Sequence, residues 1–211
     1  MIIPFRYLDI PNFDIVSQRL LEMVSSNLYI TEHNNSKVLR FSKPATEYQK
    51  FDISGPTDFW NYLDIREILL MIPELKIILK DLEVTPLSMG LLIVKNLNGN
   101  LHSDPGQPSV LSRINWPIVN GTICKTTFYQ LKDNANFTIG QNLSNDHLKA
   151  HPVYNAEDIE SELGSYILTQ PVALNTKHPH QISPIKDAVS ERPDLPRLVL
   201  SIALNKDLIE T

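Results

Sequence analysis

The chain has 211 residues, of which 42% are apolar and 20% charged, with a net charge of −5. That is long enough for one domain with a sizeable core, and an acidic balance with dispersed lysines and arginines argues against a nucleic-acid partner. A single cysteine, Cys124, excludes an intrachain disulfide and fits a reducing compartment.

The opening MIIPFRYLDIPNFD lacks the basic start and apolar run of a secretion signal. No stretch approaches the ~20 apolar residues of a membrane span. A cytoplasmic protein with no membrane partner is expected. Patterning divides the chain into a helical N-terminal support region, residues 1–86, and a strand-rich core, residues 87–204, within a single domain spanning 1–211.

In chain order, Asp14 is placed to cap a helix running to about Ser26, with Val16, Leu20, Met23 and Val24 on its buried face. Strands are expected over 38–41 and 48–53. Thr57 or Asp58 is expected to cap a second helix. Its apolar positions Ile65, Ile68, Leu69, Ile72, Leu75, Leu79 and Leu82 keep a three-or-four spacing through Pro73, which should kink or split it. These helices would pack on one sheet.

Strands are then expected over 91–97, 101–104, 112–119, 125–131, 166–168, 172–176 and 197–204. The turn signals Asn98-Gly99-Asn100 and Asn120-Gly121 fall among them. Residues 133–154 and the proline-rich 182–196 read as loops. Many short strands with turn signals between them suggest a sandwich or barrel.

His102-Ser103-Asp104 carries the chemistry. On a strand, residues i and i+2 share a face, so one imidazole and one carboxylate would aim at the same point. A second histidine from a neighbouring strand would complete the two-histidine, one-carboxylate triad of non-haem Fe(II) oxygenases, with the opposite flank open. His178 and His180 share strand parity and both are candidates. His180, after Pro179 at a strand end, is preferred, which leaves His178 as a rim residue or a support for the ligand. The plainer alternative is a solvated loop that happens to hold His and Asp. His33, His147 and His151 lie in polar surroundings and are expected to be exposed. Trp116 and Tyr129 read as core more readily than as pocket lining, and Cys124 as a small buried apolar residue.

The segments HSDPGQPSVLSRINWPIVNGTICKTTFYQL, PVALNTKHPHQIS and PRLVLSIAL resemble the 2-oxoglutarate/Fe(II)-dependent dioxygenases. The likeness is to the bacterial and phage branch related to aspartyl/asparaginyl β-hydroxylases and prolyl hydroxylases. It spans about residues 87–204 and implies a mainly β fold with supporting helices: a double-stranded β-helix, or cupin-like jelly roll.

By position, His102, Asp104 and His180 match the iron ligands. Arg197 matches the arginine that pairs with the far carboxylate of the 2-oxoglutarate co-substrate, a role suited to a guanidinium fork. Arg113 matches a second arginine that contacts the co-substrate, and Asn115 shares its strand face. Three departures stand out: the segment from His180 to Arg197 is longer than is usual; Val199 takes the position of the family's Arg-x-Ser serine, with Ser201 two residues later; and Asp104 is present where the β-hydroxylases often lack the carboxylate ligand. The resemblance implies an Fe(II)- and 2-oxoglutarate-dependent hydroxylase of an amino-acid side chain, free or peptidyl. A cupin-like metalloenzyme without 2-oxoglutarate and a non-catalytic jelly-roll binding module are the alternatives. Nothing in the sequence fixes the substrate or the oligomeric state.

Overall fold

A computed structural model describes residues 3–25, 29–33, 36–39, 49–50, 59–104, 109–144 and 147–209, with side chains described outside 26–62 and 141–150. The chain is mainly β, with largely antiparallel sheets and few helices.

The first helix, α1 (Phe13–Ser25), buries Val16, Leu20, Met23 and Val24, the face that the sequence periodicity predicts, with Asp14 in its first turn. It follows a short strand, β1 (Phe5–Tyr7). Strands β2 (Tyr29–His33), β3 (Ser36–Leu39) and β4 (Gln49–Lys50) come next. Strands β3 and β4 overlap the strands expected at 38–41 and 48–53, whose remaining residues lie outside the described ones, as do Thr57 and Asp58; β2 was not expected.

The N-terminal region is less helical than its composition suggests. Phe59–Leu63 forms strand β5, because a Phe-Trp-Asn-Tyr run suits a pleated surface. The helix begins only after Asp64, whose Oδ1 accepts from the amides of Arg66 (2.9 Å) and Glu67 (3.2 Å). Pro73 splits the helical stretch into α2 (Ile65–Met71) and α3 (Pro73–Asp81). It stands at the first position of α3, where a missing N–H costs nothing. Among the described residues no helix is long and apolar enough to cross a membrane.

The remaining strands are β6 (Pro86–Val94), β7 (Ser112–Val119), β8 (Cys124–Leu131), β9 (Phe137–Ser144), β10 (His147–Tyr154), β11 (Ile159–Ile167), β12 (Val172–Leu174), β13 (His180–Pro184) and β14 (Arg197–Leu204). The segment 133–154, expected as a loop, is largely the β9–β10 hairpin, paired from Phe137↔Tyr154 to Ser144↔His147. Its polar sequence hid the alternation on which strand recognition depends. The strand expected at 101–104 shrinks to one residue, His102, bridged to His180 and to Val153.

The large sheet runs β1-β12-β7-β14-β6-β5-β3-β2-β4, with the β9–β10 hairpin branching from β5, and the small sheet runs β11-β8-β13. Through its two bridges His102 links β13 to β10. One face of the large sheet carries the main core: Ile114, Trp116, Leu198, Leu200, Ile202, Met89, Leu91 and Ile93 packed against the three helices. The indole Nε1 of Trp116 donates to Ser17 Oγ (3.1 Å), which donates to the Pro117 carbonyl (2.6 Å) and docks α1 on β7. A smaller cluster of Phe128, Tyr166, Leu168, Val172, Leu174 and Val199 joins strands of both sheets. The opposite face of β14 therefore looks into the space between them.

Candidate metal centre

The two histidines are brought together by backbone alone. The His102 amide donates to the His180 carbonyl (3.0 Å) and the His180 amide donates back to His102 (2.7 Å). This reciprocal pair sets the imidazoles side by side, ring centroids 4.5 Å apart and planes at 49°. The Asp104 amide is tied to the Thr176 carbonyl at 2.9 Å, which turns its carboxylate back so that Oδ1 lies 3.8 Å from His102 Nε2. One potential ligand atom from each of His102, Asp104 and His180 lies within 4.8 Å of the other two. Small side-chain rotations would bring all three to a single ion.

The tautomers suit such a role. His102 Nδ1 lies 2.8 Å from the Asn100 carbonyl, and His180 Nδ1 lies 2.9 Å from the His178 carbonyl. A carbonyl only accepts, so the proton sits on each Nδ1 and the Nε2 lone pairs are left for a cation. Burial, then the neighbouring His180, push the His102 pKa below its usual value, against a smaller opposing pull from Asp104. His102 is thereby held in the neutral form that can ligate.

His180 is the histidine that joins the group. His178 is half-buried, with burial lowering its pKa, and its contribution is the carbonyl that orients His180. His151, expected at the surface, is buried with its ring 5.2 Å from that of His102, edge to face. It arrives there on β10, a strand that the sequence patterning does not reveal. The side chains of His33 and His147 lie outside those described.

Arg113 reaches the same region. Its Nε lies 3.7 Å from Asp104 Oδ2, where burial lowers its pKa and Asp104 offsets part of that effect. Asn115 lies on the same face of β7, cross-strand from the buried Ser201 on β14, and donates to Tyr166 Oη (3.4 Å). Tyr166, which the sequence reading gave no role, is fully enclosed, and burial pushes its phenol pKa up. Trp116 belongs to the helix-side core, and Tyr129 is half-buried next to Phe128 on β8. Cys124 is buried, as expected.

Arg197 opens β14 with only 3% of its surface exposed. Its charge is felt by Cys124 and Tyr166, which places it between the sheets. Its buried Nε has no hydrogen-bond partner, and among the described residues no carboxylate pairs with the guanidinium.

No family model matches the chain, and no curated protein does. Among solved structures, AviO1 from Streptomyces viridochromogenes Tue57 aligns over 99% of this chain and 92% of its own, with a TM-score of 0.39 and 9% identity. At those values the likeness carries no argument about fold or function.

Proposed function

We propose that the protein is a non-haem Fe(II)- and 2-oxoglutarate-dependent dioxygenase on a jelly-roll scaffold, hydroxylating an amino-acid or peptidyl side chain. The observation that carries the reading is Arg197: a guanidinium enclosed between two sheets, its Nε without a hydrogen-bond partner and no carboxylate paired with it among the described residues, in a fold that also gathers a His-Asp-His group. A buried unpaired charge costs several kcal/mol, and an anionic ligand would offset that cost.

The donor set suits iron: two imidazoles and one carboxylate on one side of the ion. His102, Asp104 and His180 would hold it, and Arg197 would take the far carboxylate of 2-oxoglutarate by a bidentate fork. When bound, iron and 2-oxoglutarate would together supply the oxidation, in which dioxygen is consumed, the keto acid becomes succinate and carbon dioxide, and a substrate C–H becomes C–OH.

The chain itself would do the placing. The Asn100 and His178 carbonyls fix the ring orientations. Arg113 steadies the Asp104 carboxylate from its other oxygen. Asn115 and Ser201 line the interior face between the two arginines, and Phe128, Val199 and Leu174 exclude water from it.

Anaerobic titration of the full chain with Fe(II), then 2-oxoglutarate, tests the reading. A visible charge-transfer band that needs both additions is expected, and it should be absent in His180→Ala. Iron binding without any response to 2-oxoglutarate would favour a cupin-like metalloenzyme. No iron binding above that of His102→Ala would leave a non-catalytic binding module.

A further inference from the structure

Asn120 is fully buried and sits at the corner after β7 with a left-handed backbone, φ +57°. Its carboxamide is saturated by a segment about seventy residues away. Nδ2 donates to the carbonyls of Leu195 (2.8 Å), Arg192 (2.9 Å) and, more weakly, Pro196 (3.4 Å). Oδ1 accepts from Ser190 Oγ (2.8 Å) and from the Arg192 amide (2.9 Å). A carboxamide has two N–H donors and two carbonyl lone pairs, and all are in use. Glu191 adds a second tie, receiving Thr122 Oγ1 at 3.2 Å and the Asn120 amide at 3.4 Å.

The segment held in this way is the long connection after β13, and it ends at Pro196, one residue before Arg197. The corner beneath it is itself tight, since a side chain at Gly121 would run into the Leu168 carbonyl. The strand start that it feeds is irregular. Leu198 pairs with Val119 and Val199 with Pro117, so Ile118 is an extra residue at the first pairs of β14. A slip of one residue turns every side chain to the opposite face of a sheet. At this point it would carry Arg197 out of the inter-sheet space and into the apolar core beneath the helices.

We infer that Asn120 is a positioning residue for Arg197: it fixes the last residues before β14, and with them the register that aims the guanidinium at an anionic ligand. The inference rests on the reading of Arg197 as the anchor for 2-oxoglutarate, but the hold on the strand start is separable from it.

The test compares the full-length wild type with Asn120→Gly and Asn120→Asp. Glycine keeps the left-handed backbone without strain and removes only the carboxamide. Aspartate keeps the acceptor half and loses the donors to Leu195 and Arg192. Mn(II) affinity and the 2-oxoglutarate affinity of the Mn(II)-loaded protein are measured by calorimetry, and amide hydrogen exchange is followed over Arg197–Val199. Asn120→Gly is expected to weaken 2-oxoglutarate binding by about tenfold or more, to leave Mn(II) binding within about twofold, and to speed exchange at the start of β14. Asn120→Asp, which sets an acceptor oxygen against the Leu195 and Arg192 carbonyls, should be weakened at least as much as Asn120→Gly. Faster exchange in Asn120→Gly, alongside a wild type that binds Mn(II) but never 2-oxoglutarate, would sink the co-substrate reading and retain the positioning role. Unchanged exchange in Asn120→Gly would overturn the positioning role whatever the ligand does.

Discussion

All eight residues of β14 are buried, yet its two faces are built differently. Leu198, Leu200, Ile202 and Leu204 point into the helix-covered core. Arg197, Val199, Ser201 and Ala203 alternate with them and face the small sheet, and only Val199 of these four joins an apolar cluster. The neighbouring strand repeats the contrast, with Ile114 and Trp116 on one side and Arg113 and Asn115 on the other. A face buried because it is apolar holds the fold together. A face buried although it is polar gives up stability, and proteins retain such faces where a ligand makes up the difference.

The largest effect expected on the apolar side is from Trp116→Ala. The indole is wholly buried and also donates to Ser17. Removing it should cost about 3–5 kcal/mol of unfolding free energy, read by urea denaturation. Metal affinity of the protein that remains folded should hardly change. A matching loss of metal affinity would break the division between the two faces.

On the polar side the sign should reverse. Arg197→Met replaces a buried guanidinium, which pairs with no carboxylate among the described residues, with an apolar chain. The apo protein is expected to be unchanged or more stable by about 1–4 kcal/mol. The same variant should lose 2-oxoglutarate binding by about a hundredfold, close to 2.7 kcal/mol, while keeping its metal. A clear loss of apo stability would show that Arg197 is a structural residue with a partner of its own.

The same contrast explains what was legible in the sequence. The α1 face came through whole, because Val16, Leu20, Met23 and Val24 keep a 3.6-residue period with nothing to compete. The bounds of β7 and β14 were equally clear, as apolar runs closed by turn residues. Strand β5 was not, since Phe59–Leu63 runs into the helix across Asp64 without a glycine or proline to mark the change. The β9–β10 hairpin is too polar to alternate visibly, and with it went the true position of His151.

At the site, His102 and Asp104 were legible as neighbours, and His180 by its strand-end place after Pro179, although its shared parity with His178 left both as candidates. The hydrogen bonds that pick His180 over His178 were not, because they join backbone groups nearly eighty residues apart. Asn120 read only as a turn residue. Its role depends on carbonyls from 192–196, for which no local pattern exists.

Cys124 gives the finest test of the polar face. It opens β8, lies within the field of Arg197, and is buried; burial raises its thiol pKa, and the Arg197 charge lowers it by a smaller amount. The thiolate is the reactive form, so a raised pKa means slower alkylation near neutral pH. The folded protein should react with iodoacetamide at least about tenfold more slowly than the urea-unfolded chain. In Arg197→Met the opposing pull disappears, the pKa rises further, and native-state alkylation should slow again by a smaller factor. Faster alkylation in that variant would mean that removing the guanidinium has opened the strand start, and that Arg197 holds the corner together and does not merely occupy it.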